Sequence, residues 1–350
     1  MNQKTTLQSI AQSAGVSVST VHKALYGKPG VNPEMRKRIL LLAKQQGYRY
    51  SQPIYQSIRI AAVFPAPEGS NRFFYQYIWN GIHDRADELE DQNLTVIDFK
   101  FYGGIEEQLV MLEDLYQNHC EEIDCLLTIA WDQPATAEYI DKFAEKNILT
   151  FTVSSDAPMS QRCSFIGANF YSIGRIAGEY MKSVVQESGR TLIVGTRRDS
   201  YNHSLAIRGY YDELNRGNDR RLEVVELFDH TTQDFSLQAS LSEFLHSFKN
   251  IRGIYANNAR ATIGVCQLLE EISYPTKLTL IGSELFEESA HYLKCGILDC
   301  VIEQGPYQQG YVSVGTAFNH LSLKRSAPPN IVINAHIILP SCVDQKIIHR

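Results

Sequence analysis

The sequence lacks any apolar run long enough to span a membrane, and its first residues are polar and basic. A membrane-spanning helix needs about 20 mostly apolar residues, and a signal peptide needs a shorter apolar core near the N-terminus. Neither pattern is present in the chain. We therefore expect a cytoplasmic protein that has no membrane partner.

Motifs of the common enzyme classes are also missing. The chain has no Gly-rich phosphate loop, no GxSxG or HExxH motif, and no histidine cluster at metal-ligand spacing. Asp132 and Asp156 could form an acid–base pair, but nothing around them marks either carboxyl group as activated. We expect no enzymatic activity, no cofactor and no metal site.

The cysteines do not form the pattern of a disulfide framework or a zinc site. Seven cysteines are scattered along the chain, at positions 120, 125, 163, 266, 295, 300 and 342. The closest pairs lack both the CxxC spacing and the nearby histidine pair that a zinc site would need. We predict reduced, mostly buried thiols.

Positive charge is concentrated at the start of the chain. Residues 1–52 hold eight Lys and Arg residues against one acidic residue, a net charge of +7, whereas the whole chain carries −6. The remaining residues therefore sum to −13. A basic head on an acidic body is typical of a protein whose head binds phosphates while its body is repelled by the nucleic acid.

The same region has the pattern of two short helices joined by a tight turn. Residues 7–14 and 18–25 each place apolar side chains at helical spacing. Thr6 and Ser17 can cap these helices, and Gly15 suits a turn that needs a positive φ. In a helix-turn-helix, the second helix presents its N-terminal residues to base edges in the major groove. The pattern predicts a DNA-reading head, although any small helical hairpin shares it.

A longer run of residues narrows this prediction to one family. The run is Leu7-x-x-Ile10-Ala11-x-x-Ala14-Gly15-Val16-Ser17-x-x-Thr20-Val21, followed by Asn32-Pro33, Arg36, Ile39, Ala43 and Gly47-Tyr48. It resembles the head of the lactose-repressor (LacI/GalR) family of transcription regulators. The resemblance implies a homodimer on a pseudo-palindromic operator of double-stranded DNA. It also implies a body similar to periplasmic sugar-binding proteins, with an effector between two lobes.

In such a head, the start of the second helix should face base edges. None of its side chains offers the bidentate Arg–guanine or Gln–adenine pair, so direct readout depends on single contacts. His22 could instead contact a phosphate or stay exposed. Phosphate contacts position the head without specifying sequence, and we assign them to Lys4, Lys28, Arg36, Arg38 and Arg49. The candidate DNA-binding residues are Thr6, Ser17, Val18, Ser19, Thr20, His22, Lys23, Lys28 and Arg36.

From residue 58 onward, short apolar runs alternate with amphipathic segments of helix length. This alternation predicts parallel sheets built from βαβ units, and ten strands are too many for one compact sheet. We predict a small all-α head and an α/β body of two doubly wound parallel-sheet lobes, like a type I periplasmic binding protein. The predicted strands are 58–64, 94–99, 124–129, 148–153, 191–194, 222–228, 253–256, 278–281, 300–302 and 331–337.

Domain boundaries follow from this interpretation. The head covers 1–49 and a short linker covers 50–57. The N-terminal lobe combines 58–166 with about 300–325, and the C-terminal lobe combines 167–299 with about 326–350. The resemblance implies that the chain crosses between the lobes three times. The linker is shorter than the family's hinge segment and lacks its Ala-Arg-x-Leu run, so Ile54 is the candidate replacement for the apolar wedge.

Polar and aromatic side chains follow the predicted strands, at the sheet edge where open parallel sheets bind ligands. Asn71-Arg72-Phe73-Phe74 is similar to the step with which pentose- and hexose-binding proteins enclose a sugar ring, and residues 154–175 are similar to another run of those proteins. Hydroxyl groups need directional partners, and the C–H faces of a sugar need aromatic rings. The candidate effector-binding residues are Asn71, Phe73, Phe74, Trp131, Asp132, Asp156, Arg162, Asn169, Arg208, Asn257, Glu284 and Gln304.

Each of these residues also has a simpler interpretation. A polar residue after a strand often caps a helix or forms a turn, which applies most to Asn169 and Asn257. Two positions depart from the family pattern. Ala206 stands where an arginine is usual, with Arg208 nearby, and Ser154 replaces the first acidic residue of the cleft.

We interpret the chain as a sequence-specific DNA-binding transcriptional regulator of the repressor type. A small sugar-like effector between the lobes would control its affinity for the operator. The alternative is a cytoplasmic sugar-binding sensor without a defined operator, which the shortened linker suggests. Induction and corepression both stay open, because coupling between two sites can have either sign.

Overall fold

The computed structural model describes residues 5–26, 28, 30–48, 57–196, 198, 200–218, 221–228, 236–272 and 277–343. The predicted phosphate contacts of Lys4 and Arg49 lie outside these residues, and so does all of the predicted linker except Ser57.

Three helices form the described part of the head, and they cover Leu7–Ala14 (α1), Val18–Leu25 (α2) and Pro33–Gln45 (α3). Thr6 and Ser17 cap the first two helices, because each side chain accepts a backbone N–H from the first turn. Gly15 ends α1 with φ +70°, a conformation that residues with a side chain rarely adopt. The predicted helix-turn-helix is therefore confirmed. Its shared core consists of Ile10, Ala11, Ala14, Val21, Ala24, Leu25, Ile39 and Ala43.

Among the described residues, the first sheet of the body has six strands in the order β11-β5-β4-β3-β1-β2. The strands are Ile58–Pro65 (β1), Leu94–Phe101 (β2), Cys125–Thr128 (β3), Leu149–Val153 (β4), Ser164–Ala168 (β5) and Asn330–Ile333 (β11). The helices of this lobe are Arg72–Leu89 (α4), Ile105–Asn118 (α5), Gln133–Glu145 (α6) and Pro306–Leu323 (α12). We call this sheet and these helices the first lobe.

The second sheet also has six strands, in the order β12-β10-β9-β8-β6-β7. The strands are Gly189–Gly195 (β6), Leu222–Phe228 (β7), Ile251–Ala256 (β8), Thr279–Ser283 (β9), Cys300–Glu303 (β10) and His336–Ile338 (β12). The helices with it are Phe170–Val184 (α7), Tyr201–Leu214 (α8), Ser236–Ser247 (α9), Ala259–Glu271 (α10) and Glu287–Cys295 (α11). This sheet and these helices form the second lobe, and the predicted α/β architecture is confirmed.

The central strands are mostly apolar and are buried along almost their whole length, because helices cover both faces of each sheet. Every residue of β3 and β9 is buried, and β1 has only one residue that is partly exposed. Neighbouring strands pair in parallel from β11 to β1 in the first sheet and from β10 to β7 in the second, whereas β12 is antiparallel to β10. As expected for parallel strands, the carboxyl ends of each sheet therefore lie along one edge.

The strand pairings differ from the predicted lobe boundaries at the end of the chain. β10 pairs with β9 and so belongs to the second sheet, although residues from about 300 were predicted for the first lobe. The predicted strand 331–337 is two strands, because β11 pairs with β5 in the first sheet and β12 pairs with β10 in the second. Short apolar runs of this kind fit either sheet, and their own sequence does not identify the neighbouring strand.

The sequence analysis also missed β5. Its sequence Ser-Phe-Ile-Gly-Ala includes a serine and a glycine, which strands disfavour. With β5 in place, the chain passes between the two sheets three times: after β5, after β10, and between β11 and β12.

None of the helices in the described ranges has the length and apolar character needed to cross a bilayer.

All seven cysteines lie within the described residues and carry free thiols, of which Cys125, Cys266 and Cys300 are buried and Cys295 is exposed. Burial raises the pKa of the Cys300 thiol to about 12, so this thiol stays protonated at neutral pH.

Candidate functional site

The first turn of α2 is exposed, and one face of this helix is buried in the head. Ser17 Oγ accepts the Thr20 N–H at 3.1 Å, and the two hydroxyl groups lie 2.8 Å apart. Val18, Ser19 and Lys23 are exposed, whereas Val21, Ala24 and Leu25 are buried in the head core. The helix therefore turns its predicted reading residues away from its own core, as a groove-binding helix must.

Other predicted DNA-binding residues have partners within the head. Thr6 Oγ1 accepts the backbone N–H of Ser9, and the His22 ring stacks on Tyr26 with 4.6 Å between ring centroids. Arg36 Nη2 donates to the carbonyl oxygen of Lys28 at 2.6 Å. These contacts orient side chains at the surface of the head, and their role toward DNA stays a prediction.

A cavity of about 390 Å³ lies in the body, between the carboxyl ends of strands of both sheets. Five of the predicted effector-binding residues line it, and these are Asn71, Phe74, Trp131, Glu284 and Gln304. The two lobes contribute different chemistry to its wall.

The first lobe contributes an aromatic wall to the cavity. Phe74, Tyr75 and Trp131 line it, and the indole N–H of Trp131 donates to the Tyr75 hydroxyl at 3.0 Å. The Tyr75 and Trp131 rings meet edge to face at 5.9 Å. Burial raises the pKa of Tyr75, so its hydroxyl group is neutral and can still donate a hydrogen bond. The other described polar groups on this wall are uncharged: Ser70, Asn71, Ser154 and Ser155.

The second lobe contributes one phenyl ring, Phe170, and most of the hydrogen-bonding and ionisable side chains. They include Asn202, His203, Asn258, Arg260, Glu284 and Gln304. Glu284 follows β9 and is only 2% exposed. Its carboxylate accepts the backbone N–H of Gln304 at 3.3 Å and 3.4 Å. A ligand between the two walls would thus meet mainly rings on one side and mainly directional hydrogen-bonding groups on the other. Across the described ranges, no three His, Cys, Asp or Glu side chains converge as a metal site requires.

Two cavity residues that are not glycine have left-handed backbone at matching places in the two lobes. Ser154 follows β4 with φ +66°, and Glu284 follows β9 with φ +65°. The N–H of each donates to a residue of the neighbouring strand, Ile166 or Ile302. Such backbone is costly for residues with a Cβ and persists where the surrounding structure enforces it, often at binding sites.

Phe73 was predicted to line the cavity, but it lies outside the lining. Its ring stacks on Phe286 of the second lobe, with 4.5 Å between centroids, and the Arg72 guanidinium lies 4.1 Å from the Phe73 ring centre. Arg72 also pairs with Glu288 at 2.5 Å. We call these four residues the latch, because they join the two lobes directly. Phe73 is a lobe-to-lobe contact here, since the first turn of α4 points its ring toward α11.

Asp132 and Asn169 cap helices and lie outside the cavity lining. Asp132 accepts a backbone N–H from the first turn of α6 at 3.1 Å, and Asn169 does the same for α7 at 3.0 Å. These bonds satisfy N–H groups that have no partner inside a helix. Both side chains therefore act as helix caps, and their contact with an effector stays a prediction.

Asp156 and Arg162 form a pair that holds a strand, and neither lines the cavity. Their side chains are joined by two contacts, one of them at 2.8 Å. Thr152 donates to Asp156 at 2.8 Å, and Arg162 donates to the carbonyl oxygen of Pro329 at 2.7 Å and to Asn330 at 2.9 Å. The pair thus fixes the start of β11 against the first sheet.

The last two predicted residues also lie away from the cavity lining. Asn257 is buried and accepts from the side chain of Asn258 at 3.2 Å, and Asn258 is the residue that reaches the wall. Arg208 is exposed on α8, 3.8 Å from Asp212. The first turn of α8 supplies Asn202 and His203 instead, which the sequence analysis missed because no motif marks them.

Comparison with known proteins gives two matches that divide the chain at the same place as its charge. Residues 61–325 match the family described as periplasmic binding protein domain. Residues 6–51 match the family described as bacterial regulatory proteins, lacI family.

Individual relatives agree with this division. The HTH-type transcriptional regulator RegA of Clostridium saccharobutylicum is 22% identical over 345 residues, which cover 95% of this chain and 98% of that protein. A putative LacI transcriptional regulator from Bacteroides fragilis superposes with a TM-score of 0.74 at 16% identity, over 83% of this chain and 99% of that one. GanP, a glucose-galactose binding protein from Geobacillus stearothermophilus, gives a TM-score of 0.72 at 20% identity, over 82% and 98%.

Proposed function

Because the chain belongs to the lacI family of bacterial regulatory proteins and its body is a periplasmic binding protein domain, we propose that a sugar bound in the cavity controls how tightly the head holds operator DNA. The chain is a DNA-binding, sugar-responsive transcription regulator. We further propose which residues bind the effector and which bind the DNA. The alternative of a sensor without an operator is not favoured, since the regulatory match covers the head.

The observation that carries the effector proposal is the division of the cavity wall. Phe74, Tyr75 and Trp131 offer ring faces and edges, which suit the C–H faces of a sugar. Asn258, Glu284 and Gln304 face them with donors and acceptors, which suit hydroxyl groups. A ligand that is apolar on both faces would leave the buried polar wall unpaired, which is costly.

At the DNA, we assign base-edge contacts to Val18, Ser19 and Lys23, which are exposed at the start of α2. Lys28 and Arg36 would contact phosphates, which position the head. One head offers few contacts, so we propose a homodimer that binds a pseudo-palindromic operator. Such a regulator works where the chromosome is, in the bacterial cytoplasm.

A thermal-shift screen of the full chain tests the effector proposal. The panel contains D-glucose, D-galactose, D-arabinose, D-xylose, myo-inositol and their phosphates. A sugar at about 100 times its Kd should stabilise the protein by about 2.7 kcal/mol. Trp131→Ala should remove that shift. Arg208→Ala, which changes an exposed residue outside the cavity lining, should keep it. If every panel compound leaves the wild type unchanged, the sugar assignment is wrong.

Selection from random DNA tests the DNA proposal separately. We expect the full chain to enrich a palindrome, and Lys23→Ala should weaken binding to it. Lys44→Ala removes the same charge from α3 and serves as the control, with a smaller effect. Enrichment of no sequence would reject an operator-binding regulator in favour of a sensor.

A further inference from the structure

The crossover from β10 to α12 carries one wall of the cavity. Gln304 is the first residue after β10, lines the cavity and is 7% exposed. Gly305 follows with φ +69°, and α12 then packs on β3, β4 and β5 of the first sheet. This short segment therefore joins a second-lobe strand to a first-lobe helix.

Gln309, in the first turns of α12, binds back to this crossover twice. Its backbone N–H donates to the carbonyl oxygen of Gly305 at 3.0 Å, which is the first hydrogen bond of the helix. Its side-chain Nε2 donates to the carbonyl oxygen of Gln304 at 3.0 Å. The second bond is not part of the helix, because the carbonyl of Gln304 precedes the N-cap residue Gly305.

The Gln304 peptide is thus held on both sides. Its N–H donates to the Glu284 carboxylate and its carbonyl oxygen accepts from Gln309. Glu284 and Gln304 both line the cavity, whereas Gln309 does not. A side chain of the first lobe therefore fixes two wall residues that follow strands of the second.

Burial of the Gln309 amide at this position costs free energy. Its side chain is fully buried, and its Oε1 has no hydrogen-bond partner among the described residues. Burying an amide without all its partners is unfavourable, and an apolar side chain of similar size would avoid that cost. The amide donates a hydrogen bond from Nε2 to the Gln304 carbonyl oxygen, and an apolar side chain cannot form this bond.

We propose that Gln309 is a positioning residue for effector binding. It fixes the Gln304 peptide, and through it the Gln304 and Glu284 side of the cavity. This inference rests on the proposed function, because it takes the cavity as the effector site. It adds a residue that does not touch the effector but sets how well the wall is ordered.

Two variants and one matched control test the proposal in the full chain. Gln309→Met keeps the approximate size and shape but removes the donor, and Gln309→Asn keeps the amide but shortens it beyond reach. Gln308→Met makes the same chemical change one residue earlier, where the side chain is exposed. We expect the melting temperature of Gln309→Met to stay within about 2 °C of wild type, since it also removes the unpaired Oε1.

Hydrogen–deuterium exchange of peptides that cover residues 300–306 gives a readout without any ligand. A neutral hydrogen bond contributes modestly to stability, so Gln309→Met and Gln309→Asn should speed exchange at Gln304 by about twofold to tenfold. Gln308→Met should not change it. Unchanged exchange in both Gln309 variants would overturn the proposal.

Titration calorimetry with D-glucose, D-galactose, D-arabinose and myo-inositol gives the second readout. For any of these that binds wild type, Gln309→Met should weaken binding by about twofold to tenfold. Gln304→Ala keeps the backbone carbonyl but removes the cavity side chain that the held peptide positions, so Gln309→Met should add a smaller loss in that background than in wild type. Faster exchange with unchanged affinity, or fully additive losses, would overturn the positioning role. If none of the four binds wild type, the sugar assignment fails and exchange alone decides this inference.

Discussion

At the scale of single residues, the cavity depends on side chains that end strands and on the residues that hold them. Ser154 and Glu284 keep left-handed backbone at matching strand ends, in conformations that cost of order 1–3 kcal/mol each for residues with a Cβ. The backbone N–H of each donates to the neighbouring strand, which stabilises the conformation. The wall is therefore ordered by the body around it.

The Asp156–Arg162 pair gives a prediction at this scale. Asp156→Ala should lower the free energy of unfolding by about 3 kcal/mol, because it leaves the nearly buried Arg162 guanidinium without its carboxylate. The folded variant should still bind sugar, since neither residue lines the cavity. Urea unfolding followed by tryptophan fluorescence measures the first effect and calorimetry the second.

Asp212→Ala is the control for this experiment. It removes an exposed carboxylate that lies 3.8 Å from Arg208 and accepts a hydrogen bond from the Tyr171 hydroxyl at 3.0 Å, and should cost no more than about 1 kcal/mol. The opposite result would support the prediction from sequence that Asp156 binds the effector. In that case the Asp156→Ala variant would unfold like wild type but would no longer bind sugar.

The sequence located the cavity but not all of its wall. Asn71, Phe74, Trp131, Glu284 and Gln304 were identified because they follow strands and carry the chemistry of sugar binding. Asp132 and Asn169 have the same position and chemistry, but their side chains cap helices. Position after a strand cannot separate the two roles, since a helix cap and a ligand contact need the same polar groups.

At the scale of elements, the second lobe contains a helix pair in backbone contact. A Cβ added at Gly174 of α7 would lie 1.8 Å from the carbonyl oxygen of Ala206, and one at Gly209 of α8 would lie 2.1 Å from that of Tyr171. Only glycine permits this approach. The first turn of α8 is thereby placed so that Asn202 and His203 reach the cavity.

Gly174→Ala should therefore destabilise the body by at least about 2 kcal/mol, because two helix backbones must move apart. Gly264→Ala, inside α10, is the matched control. A Cβ there would meet the flexible end of Leu237 at 3.0 Å, and it gains helix propensity. Thermal unfolding followed by circular dichroism should show a large shift for Gly174→Ala and a small one for Gly264→Ala. Equal shifts would contradict the close crossing.

Strands in strong apolar runs were predicted, whereas β5 was missed and the last three strands were not assigned to the correct sheet or separated from one another. The alternation of apolar strands and amphipathic helices predicted most of both sheets, because buried parallel strands need continuous apolar runs. β5, β10, β11 and β12 are each three to five residues long. Segments of that length carry too little periodicity to show where they begin or which sheet they join, so β5 was missed and the last crossings were displaced.

At the scale of the whole molecule, the two lobes touch through side chains as well as through the three crossovers. The latch joins α4 to the start of α11, and Asn202 of α8 donates to the carbonyl oxygen of Ser154 at 3.1 Å. These contacts bring the two cavity walls together. We expect the strength of these contacts to set how often the two lobes hold the walls together in this way, and that population scales the apparent affinity for a ligand.

Phe286→Ala should thus weaken sugar binding without changing the cavity wall. Losing the ring stack and its buried area should reduce affinity by about tenfold, or 1.4 kcal/mol. Phe248→Ala removes a more exposed ring, which stacks on Phe244, and is the control. Calorimetry measures the affinities, and small-angle scattering of the free protein should report a larger radius of gyration for Phe286→Ala only. Unchanged affinity would exclude a role of the latch in closure.

The central claim is that sugar in the cavity and DNA at the head are energetically coupled. Fluorescence anisotropy of a labelled, selected palindrome measures the affinity of the full chain for DNA with and without a saturating sugar. We predict a change of about 5-fold to 150-fold in either direction for wild type, and no sugar effect for Trp131→Ala. A sugar that demonstrably binds wild type and leaves its DNA affinity unchanged would contradict the account.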